Sequence, residues 1–216
     1  MNDPNYHPMI SRLREILMVD LPSDAIVAGG CLRDCILGGT PKDVDVFVGP
    51  GMDVRAWVEA HGGNCRAVGG AATEYDTGLQ ASVAQVFDTN LRVGDDGLTT
   101  DRDGPEIQFI QMKRTTSIEE HFARFDFDFC KLALLQDGSF KADPTAFPAL
   151  RQKVARWTLE EGDVRRTGSV DRVIRWLQRP MFRSWRFVVG NNVFGYHPSK
   201  NFALLKGAAE TLEGTQ

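Results

Sequence analysis

Two aspartates separated by one residue, Asp43 and Asp45, stand in the segment DVDVFV. The alternation of polar and apolar residues predicts a β-strand, which would project both carboxylates from one face. Two carboxylates held in this way can bind Mg²⁺, which prefers oxygen ligands and leaves positions for phosphate groups. The pair therefore predicts a metal site that activates an attacking hydroxyl and stabilises a departing pyrophosphate.

A glycine pair, Gly29 and Gly30, precedes the aspartates at the end of the apolar segment DAIVA. The pattern predicts a strand that runs into a helix, which a second pair, Gly38 and Gly39, ends. Glycines at such a junction leave backbone N–H groups open to a triphosphate, and the helix N-terminus favours its negative charge. Arg33, one turn into the helix, would add positive charge to this phosphate site.

The order strand, glycine pair, helix, glycine pair, strand and DxD is far more specific than either motif alone. The stretch GGCLRDCILGGTPKDVDVF resembles the signature of the polymerase-beta-like nucleotidyltransferases, specifically the head domain of poly(A) polymerases and CCA-adding enzymes. That signature runs GG-x-x-R-D-x-x-L-G-x-x-x-x-D-x-D. The matching positions are Gly29, Gly30, Arg33, Asp34, Leu37, Gly38, Asp43 and Asp45.

The resemblance implies an enzyme in which an acceptor hydroxyl attacks the α-phosphate of an NTP and pyrophosphate leaves. It implies that Asp43 and Asp45 bind the metal, Mg²⁺ or Mn²⁺, and that the glycines and Arg33 hold the triphosphate. Asp34 is expected to orient Arg33 and the turn.

A third acid for the metal site has several candidates. The segment EIQFIQMK resembles the strand that supplies a third carboxylate in the family, which predicts Glu106, with Gln108 as the alternative in register. The segment FDFDF is predicted to be a strand with Asp126 and Asp128 on the face opposite its phenylalanines. Either aspartate could then complete the metal site instead.

The segment SIEEHFARFDFDFCKLALL resembles the part of the family that recognises the ribose and base of the incoming nucleotide. Arg124 and Asp126 match its first arginine and its aspartate, which predicts that both face the nucleoside. Phe125, Asp128 and Cys130 replace its second arginine, its threonine and its asparagine. The E-D-x-x-R neck element of full-length CCA-adding enzymes has no counterpart, so the choice of base stays open.

The remaining pattern predicts an α/β (α+β) head domain with a mixed sheet over residues 1–145. Helices are predicted in PMISRLREILM and DVRAWVEA, and strands in CRAVG, SVAQVFDTNLRV and EIQFIQMK. Ser117, followed three residues later by Glu120, predicts a capped helix. The segment QDG between two apolar runs predicts a hairpin.

Residues 146–216 are predicted to form a short, mostly helical and basic appendage. Residues 151–186 contain ten Arg or Lys and four acids, a net charge of +6 in a chain of −4. A basic segment on an acidic body indicates either a phosphate-rich partner or a solvated helix face. Its tryptophans, Trp157, Trp176 and Trp185, would either stack on nucleotides or, as the favoured interpretation, pack the appendage onto the head.

The 216 residues suit one domain with a small appendage. No apolar run approaches the roughly 20 residues that span a bilayer, and the N-terminus does not have the pattern of a secretory signal. The four cysteines form no CxxC pair, which suits reduced thiols in a cytoplasmic protein. The four histidines have no ligand spacing and are expected to be surface or half-buried residues.

The sequence thus predicts a metal-dependent nucleotidyltransferase that uses an NTP. The predicted acceptor is an RNA 3′ end, such as that of tRNA, bound through residues 151–186. The alternatives are a protein or small-molecule acceptor, as in toxin-like or modifying enzymes, and a catalytically inactive nucleotide-binding module. The compact size suggests a phage or mobile-element origin.

Overall fold

The computed structural model describes residues 7–18, 21–68, 82–159, 166–198 and 203–204. The chain divides into two units, which we name unit 1 (Met1–Arg124 and Leu132–Ala142) and unit 2 (Phe125–Lys131 and Asp143–Gln216). The chain therefore leaves unit 1 after Arg124, returns to it for one hairpin and leaves it again. The predicted domains, 1–145 and 146–216, stay a prediction, because the units are defined by contacts and not by independent folding.

In the described residues, the sheet of unit 1 contains the strands β1 (Ile26–Ala28), β2 (Asp43–Val48), β3 (Cys65–Val68), β4 (Val83–Val93), β5 (Leu98–Thr99), β6 (Glu106–Met112), β7 (Leu132–Leu135) and β8 (Phe140–Ala142). Their order across the sheet is β3-β4-β6-β2-β1-β7-β8, and β5 pairs with β4. β2 and β6 are parallel, whereas β1 is antiparallel to both β2 and β7. The predicted mixed α/β fold is therefore confirmed.

The helices described in unit 1 are α1 (Pro8–Met18), α2 (Gly30–Ile36), α3 (Val54–Ala60) and α4 (Ile118–Phe122). α1 buries Ile10 and Leu13, which lie three residues apart and so share one face. α4 begins with the predicted capping box, in which the Ser117 hydroxyl accepts the Glu120 N–H and the Glu120 carboxylate accepts the Ser117 N–H.

α2 ends as its glycines predict. Gly38 has a φ of 78°, which a residue with a side chain rarely adopts. Its N–H donates to the Cys35 carbonyl, and the N–H of Gly39 donates to the Asp34 carbonyl, both at 2.9 Å. These bonds satisfy carbonyls at the helix end and direct the chain toward β2.

The secondary structure described in unit 2 comprises α5 (Ala146–Gln152), β9 (Val154–Arg156), α6 (Arg166–Gln178), β10 (Arg186–Val189), β11 (Asn192–Gly195) and β12 (Ala203–Leu204), with short 3₁₀ helices at Asp128–Cys130 and Pro180–Phe182. The four strands form a second sheet in the order β12-β11-β10-β9. The prediction of a mostly helical appendage is correct for α5 and α6 and wrong for these strands. α5 ends at Gln152, and the φ of 55° at the next residue, Lys153, turns the chain into β9.

Unit 2 has an aromatic core. Phe127 and Phe129 are fully buried and make edge contacts to the Trp176 ring, with centroids 5.4 Å and 5.1 Å apart. Such pairs add to the energy of burial through their ring electrostatics. The core also includes Trp185, Phe182 and Phe187. Trp176 and Trp185 thus contact Phe129, a residue of the predicted head 1–145, as the favoured interpretation requires, but these contacts lie within unit 2.

The strand predicted for FDFDF is wrong. Phe127 forms a single isolated bridge with Trp157, and Asp128–Cys130 is a 3₁₀ helix. The prediction failed because the phenylalanine spacing that suits one face of a strand also suits this irregular segment, which the aromatic core surrounds. Asp126 and Asp128 are consequently both buried, and they do not line a solvent-facing strand.

Within the described residues, no helix combines the length and the apolar character that crossing a membrane requires.

Candidate functional site

Asp43 and Asp45 lie on the same face of β2, as predicted. Asp43 is exposed and Asp45 is half-buried, whereas Val44 and Val46 on the other face are fully buried. β6 runs parallel beside this strand, with Glu106 opposite Asp43 and Gln108 opposite Asp45. Since paired residues of neighbouring strands project to the same side, these four polar side chains share one region of the sheet face.

Glu106, the predicted third acid, is bound to an arginine of the next strand. Its carboxylate forms a salt bridge with Arg92 of β4, and the same guanidinium donates to the Gly104 carbonyl at 2.8 Å. Arg92 and Glu106 are also paired in register. We name Asp43, Glu106 and Arg92 the first row of the site.

A second polar row crosses the same face one step further along the strands. Gln108 donates from Nε2 to Oδ1 of Asp88 on β4 at 2.7 Å, and Arg66 of β3 lies 3.6 Å from the other oxygen of that carboxylate. Asp45, Gln108, Asp88 and Arg66 are successive partners in register across four strands, and they form the second row. Sequence reasoning did not identify Asp88 or Arg66, although SVAQVFDTNLRV was predicted to be a strand.

The junction between β1 and α2 requires a glycine at position 29. Gly29 has φ 89° and ψ −137°, a conformation that residues with a Cβ avoid. Its N–H donates to the Leu132 carbonyl at 3.0 Å, so this amide is used within the sheet and is not open to a phosphate as predicted. The predicted contact of this junction with a triphosphate therefore depends on the amides that follow Gly29.

Arg33 is buried, with 3% of its surface exposed, and it pairs with its neighbour Asp34. Nε and Nη2 of Arg33 lie 2.8 Å and 2.6 Å from Oδ1 of Asp34, which is the orienting contact expected of this aspartate. The guanidinium also lies along Gly30, where an added Cβ would be 3.4 Å from Nη2. The predicted contact of Arg33 with a triphosphate stays a prediction.

The start of α2 is electrostatically coupled to the aspartates of β2. The pKa of the Cys31 thiol is raised well above its usual value, first by burial and next by the negative charge of Asp45, with smaller contributions from Cys35, Asp34 and Asp43. Burial also raises the pKa of the Cys35 thiol to about 12. β1, which ends just before the glycine pair, also pairs with β2, with Val27 opposite Val46, so the glycine pair and the DxD motif lie close together in unit 1.

Arg124 and Asp126, both predicted to face a nucleoside, belong to different units. Arg124 is half-buried after α4, and burial lowers the pKa of its guanidinium. Asp126 accepts hydrogen bonds at 2.7 Å from the Ser169 hydroxyl and from Arg172, both on α6. These contacts hold the segment Phe125–Lys131 within unit 2, and the nucleoside role of the two residues stays a prediction.

Asp128, the other candidate for a third acid, is also used within unit 2. Its Oδ1 accepts the N–H groups of Phe129 at 2.8 Å and Arg156 at 2.9 Å. Burial raises the pKa of its carboxyl to about 6, against the lowering effect of those two hydrogen bonds. Asp128 therefore connects the 3₁₀ helix to β9.

His121 is a correction to the expectation that the histidines are surface or half-buried residues. It is 4% exposed, its Nε2 lies 2.6 Å from the Thr116 hydroxyl, and its ring packs edge-on against Phe47. Burial and the positive charge of Arg124 lower the pKa of His121 to about 4, although Glu120 opposes them. His121 is therefore a neutral residue of the core, next to Phe47 near the C-terminal end of β2.

The fit to a metal ion is partial. Asp43 and Asp45 provide two carboxylates on one exposed face, which suits Mg²⁺ or Mn²⁺. Among the described residues, no group of three or more His, Cys, Asp or Glu side chains comes together in a way that could hold an ion. The arrangement thus offers two carboxylate ligands, with the side chains of β6 beside them.

Comparison with protein families matches residues 9–153 to a family described as "Gad2: Gabija anti-defense 2 family protein". The search of curated proteins found no match.

Several solved structures are similar in fold. One, described as a tRNA-processing enzyme with CTP, is 20% identical with a TM-score of 0.46, and the match covers 71% of this chain and 37% of that one. The Thermotoga maritima CCA-adding enzyme complexed with tRNA is 16% identical with a TM-score of 0.47, covering 86% and 40%. A CCA-adding enzyme in apo form I is 19% identical with a TM-score of 0.46, covering 100% and 45%. The chain thus spans less than half the length of each structure.

Proposed function

The chain belongs to the Gabija anti-defense 2 family, and from this premise and the site of unit 1 we propose that it is a metal-dependent nucleotidyltransferase. In the proposed reaction, an acceptor hydroxyl forms a bond to the α-phosphate of an NTP, the bond to the β-phosphate breaks and pyrophosphate leaves. A cytoplasmic location is part of the proposal.

One observation carries this proposal. The DxD carboxylates lie on one face of β2, and β1, which ends at Ala28 just before the glycine pair, pairs with β2 so that Val27 is opposite Val46. A carboxylate pair that would bind a cation therefore lies beside a junction whose glycine conformation suits close approach by a ligand. Neither motif would support the proposal if the fold had separated them.

The residues would divide the work as follows. Asp43 and Asp45 would hold Mg²⁺ or Mn²⁺, which when bound supplies positive charge to the phosphates of the NTP. The guanidinium of Arg33 lies along Gly30, and Asp34 holds it in one orientation. We assign the junction at Gly29 and Gly30, through the amides that follow Gly29, and Arg33 to triphosphate binding, and Arg124 to nucleoside recognition.

The basic surface of unit 2 supports an RNA acceptor. Lys153, Arg156 and Arg186 are exposed, and they lie on or beside the paired strands β9 and β10. Arg183 is also exposed, and its guanidinium lies 5.0 Å from the ring centre of Tyr196. A cation beside an aromatic ring suits a nucleic-acid strand, because the cation can bind a phosphate while the ring stacks on a base. We propose that the acceptor is an RNA 3′ end, such as that of tRNA.

Two alternatives each have an observation in their favour. The name of the family concerns defence, which favours an acceptor within a defence system, such as a protein hydroxyl. Glu106, the predicted third acid, forms a salt bridge with Arg92. This contact favours the second alternative, a nucleotide-binding module that does not catalyse transfer.

Labelling with α-³²P NTPs tests the proposal. We expect the purified protein, incubated with total RNA and a cell protein extract, to label RNA at its 3′ end in the presence of Mg²⁺ or Mn²⁺. Replacement of Asp43 and Asp45 by Asn should reduce labelling at least about 100-fold, because it removes the charge that holds the ion. The matched control is Asp101→Asn with Asp103→Asn, an exposed pair with the same spacing in the loop after β5.

The other outcomes distinguish the alternatives. Label on protein alone would support the protein acceptor and contradict the RNA acceptor. Binding of an NTP without any transfer would support the inactive module, and equal loss of labelling in the control pair would contradict the assignment of the site.

A further inference from the structure

Arg92 of β4 is placed beside the DxD strand by an irregularity in its own strand. Arg92 is paired with Glu106, whereas the preceding pair in register lies four residues earlier on β4 but only two residues later on β6. β4 therefore contains two extra residues at this point, and without them Asn90 would lie opposite Glu106. Irregularities of this kind are frequent next to active sites, where they redirect a side chain.

Contacts on both sides of Arg92 hold this irregular stretch in place. The Thr89 hydroxyl donates to the Ile107 carbonyl at 2.7 Å and accepts the Leu91 N–H at 3.1 Å, so it satisfies backbone groups at the interruption of the ladder. Gly104 has a φ of 92°, and an added Cβ would lie 2.2 Å from a backbone carbonyl oxygen of β4. The position of the arginine is therefore determined by its neighbours before and after it.

The guanidinium of Arg92 is an internal cation of the first row. It is bound to the Glu106 carboxylate, and its Nη1 donates to the Gly104 carbonyl at 2.8 Å. Glu106 lies opposite Asp43, so the charge of the arginine lies within two strand spacings, about 10 Å, of the DxD carboxylates. A positive charge at this distance weakens the binding of a divalent ion at Asp43, because the two cations repel.

The order of the strands places Arg92 and the glycine junction on opposite sides of the DxD strand. β1, which ends just before Gly29, lies on one side of β2, and β6 and β4 lie on the other. In nucleotidyl transfer, the attacking and leaving oxygens are roughly in line across the phosphorus. A triphosphate at the glycine junction therefore requires the acceptor to approach over β6 and β4, where Arg92 lies.

We propose that Arg92 couples binding of the acceptor to binding of the metal ion. In the absence of an acceptor it holds Glu106 and disfavours the ion, and a phosphate of the acceptor strand then takes over its guanidinium. The inference rests on the proposed function. A guanidinium binds phosphate and carboxylate through the same planar set of donors, so the exchange keeps its hydrogen bonds. The exchange also leaves the negative charge of Glu106 uncompensated beside Asp43, and this charge attracts the ion.

Binding of Mn²⁺ to the full chain, followed by the electron paramagnetic resonance signal of the free ion, tests this coupling without measuring catalysis. Arg92→Gln should tighten Mn²⁺ binding by about 5-fold, the effect of one unit charge on a divalent ion about 8 Å away in water. A short oligoribonucleotide with a 3′-deoxy end, which cannot accept a nucleotide, should tighten Mn²⁺ binding by the wild type and not by Arg92→Gln. The Mn²⁺ bound by the oligoribonucleotide alone is measured separately and subtracted.

Two further variants separate the charge of Arg92 from a structural role. Arg114→Gln is the matched control, because Arg114 also forms a salt bridge with a glutamate of unit 1, Glu120, beyond the end of β6. It removes the same charge and the same kind of bridge, and it should behave as the wild type does. Arg92→Met keeps an apolar side chain and loses the charge, so it should reproduce Arg92→Gln. A structural role would weaken Mn²⁺ binding in both neutral variants.

The outcomes also separate this inference from the proposed function. If Asp43→Asn weakens Mn²⁺ binding and neither neutral variant of Arg92 tightens it, the role of Arg92 is wrong and the metal site stands. No tightening by the oligoribonucleotide in the wild type, or equal tightening in Arg92→Gln, overturns the coupling. Loss of folding in both neutral variants, measured by circular dichroism, assigns the salt bridge to the fold and also overturns it. Absence of Mn²⁺ binding by the wild type, or binding that Asp43→Asn does not change, overturns the proposed function as well.

Discussion

The chain contains two D-x-D pairs that the fold uses in opposite ways. Asp43 and Asp45 lie on the outer face of a strand in unit 1, exposed and half-buried. Asp126 and Asp128 are buried in unit 2, where they accept hydrogen bonds from Ser169, Arg172 and two backbone amides. Identical spacing thus produces a pair on the outer face of a strand in one unit and internal bonds in the other. The backbone conformation, and not the motif, decides which.

The largest expected difference between the two pairs is in stability. Asp126→Ala should lower the free energy of unfolding by about 2 to 4 kcal/mol, because it leaves Arg172 and Ser169 without their shared acceptor. Asp43→Ala at an exposed position should change it by no more than about 0.5 kcal/mol. Urea unfolding of the two variants measures both values, and equal losses would contradict the distinction between the pairs.

A second comparison uses the pH dependence of stability. Asp128 keeps its proton up to a pKa of about 6 in the fold, whereas the unfolded chain releases it near the ordinary pKa of 3.8. The stabilisation from the neutral carboxyl is therefore complete below pH 3.8 and is lost as the pH rises through 6. Relative to Asp128→Asn, the wild type should lose about 2 to 3 kcal/mol of stability between pH 4 and pH 7.

His121 of unit 1 should respond with the opposite sign. Its pKa of about 4 lies below the ordinary value of 6.5, so its stabilisation is present above pH 6.5 and is lost as the pH falls through 4. Relative to His121→Gln, the wild type should lose stability on acidification. Urea unfolding at several pH values between 4 and 7 gives the slope of the unfolding free energy against pH for each comparison. Slopes of the same sign would contradict the direction of the pKa shift of Asp128 or of His121.

The smallest expected change in stability concerns two exposed arginines of unit 2, Arg156 and Arg186. Arg156→Gln with Arg186→Gln should alter the free energy of unfolding by no more than about 0.5 kcal/mol, because both side chains are exposed. If these arginines contact RNA phosphates, the slope of log affinity against log salt should fall by about 1.4 for a single strand. Fluorescence anisotropy with a labelled RNA 3′ end measures this slope. An unchanged slope would show that these two arginines do not contact RNA phosphates.

Local signals explain what the sequence could predict. Gly29, Gly38 and the alternation around Asp43 each restrict the backbone within a few residues, so the strand–helix–strand order of the site follows from the sequence. The capping box at Ser117 is a signal of the same kind.

The rest depended on pairings between distant residues. Gln108 and Asp88 meet only because β6 and β4 pair in one register, which no single segment determines. The hairpin of β10 and β11 turns at Gly190, whose φ is 57°, and a glycine followed by Asn was a local signal that the helical interpretation of the appendage did not use. The burial of Asp126 followed from contacts with α6, which lies far along the chain.

The alternation of the chain between the two units has a consequence for synthesis. Phe127 and Phe129 leave the ribosome before α6 and β10, which carry their partners Trp176 and Phe187. A nascent chain, or a chain cut after residue 145, therefore exposes two phenylalanines that the folded 216-residue chain buries. Chaperone binding and aggregation should concentrate on this segment until the C-terminal strands emerge, so removal of the second unit is a poor way to isolate the first.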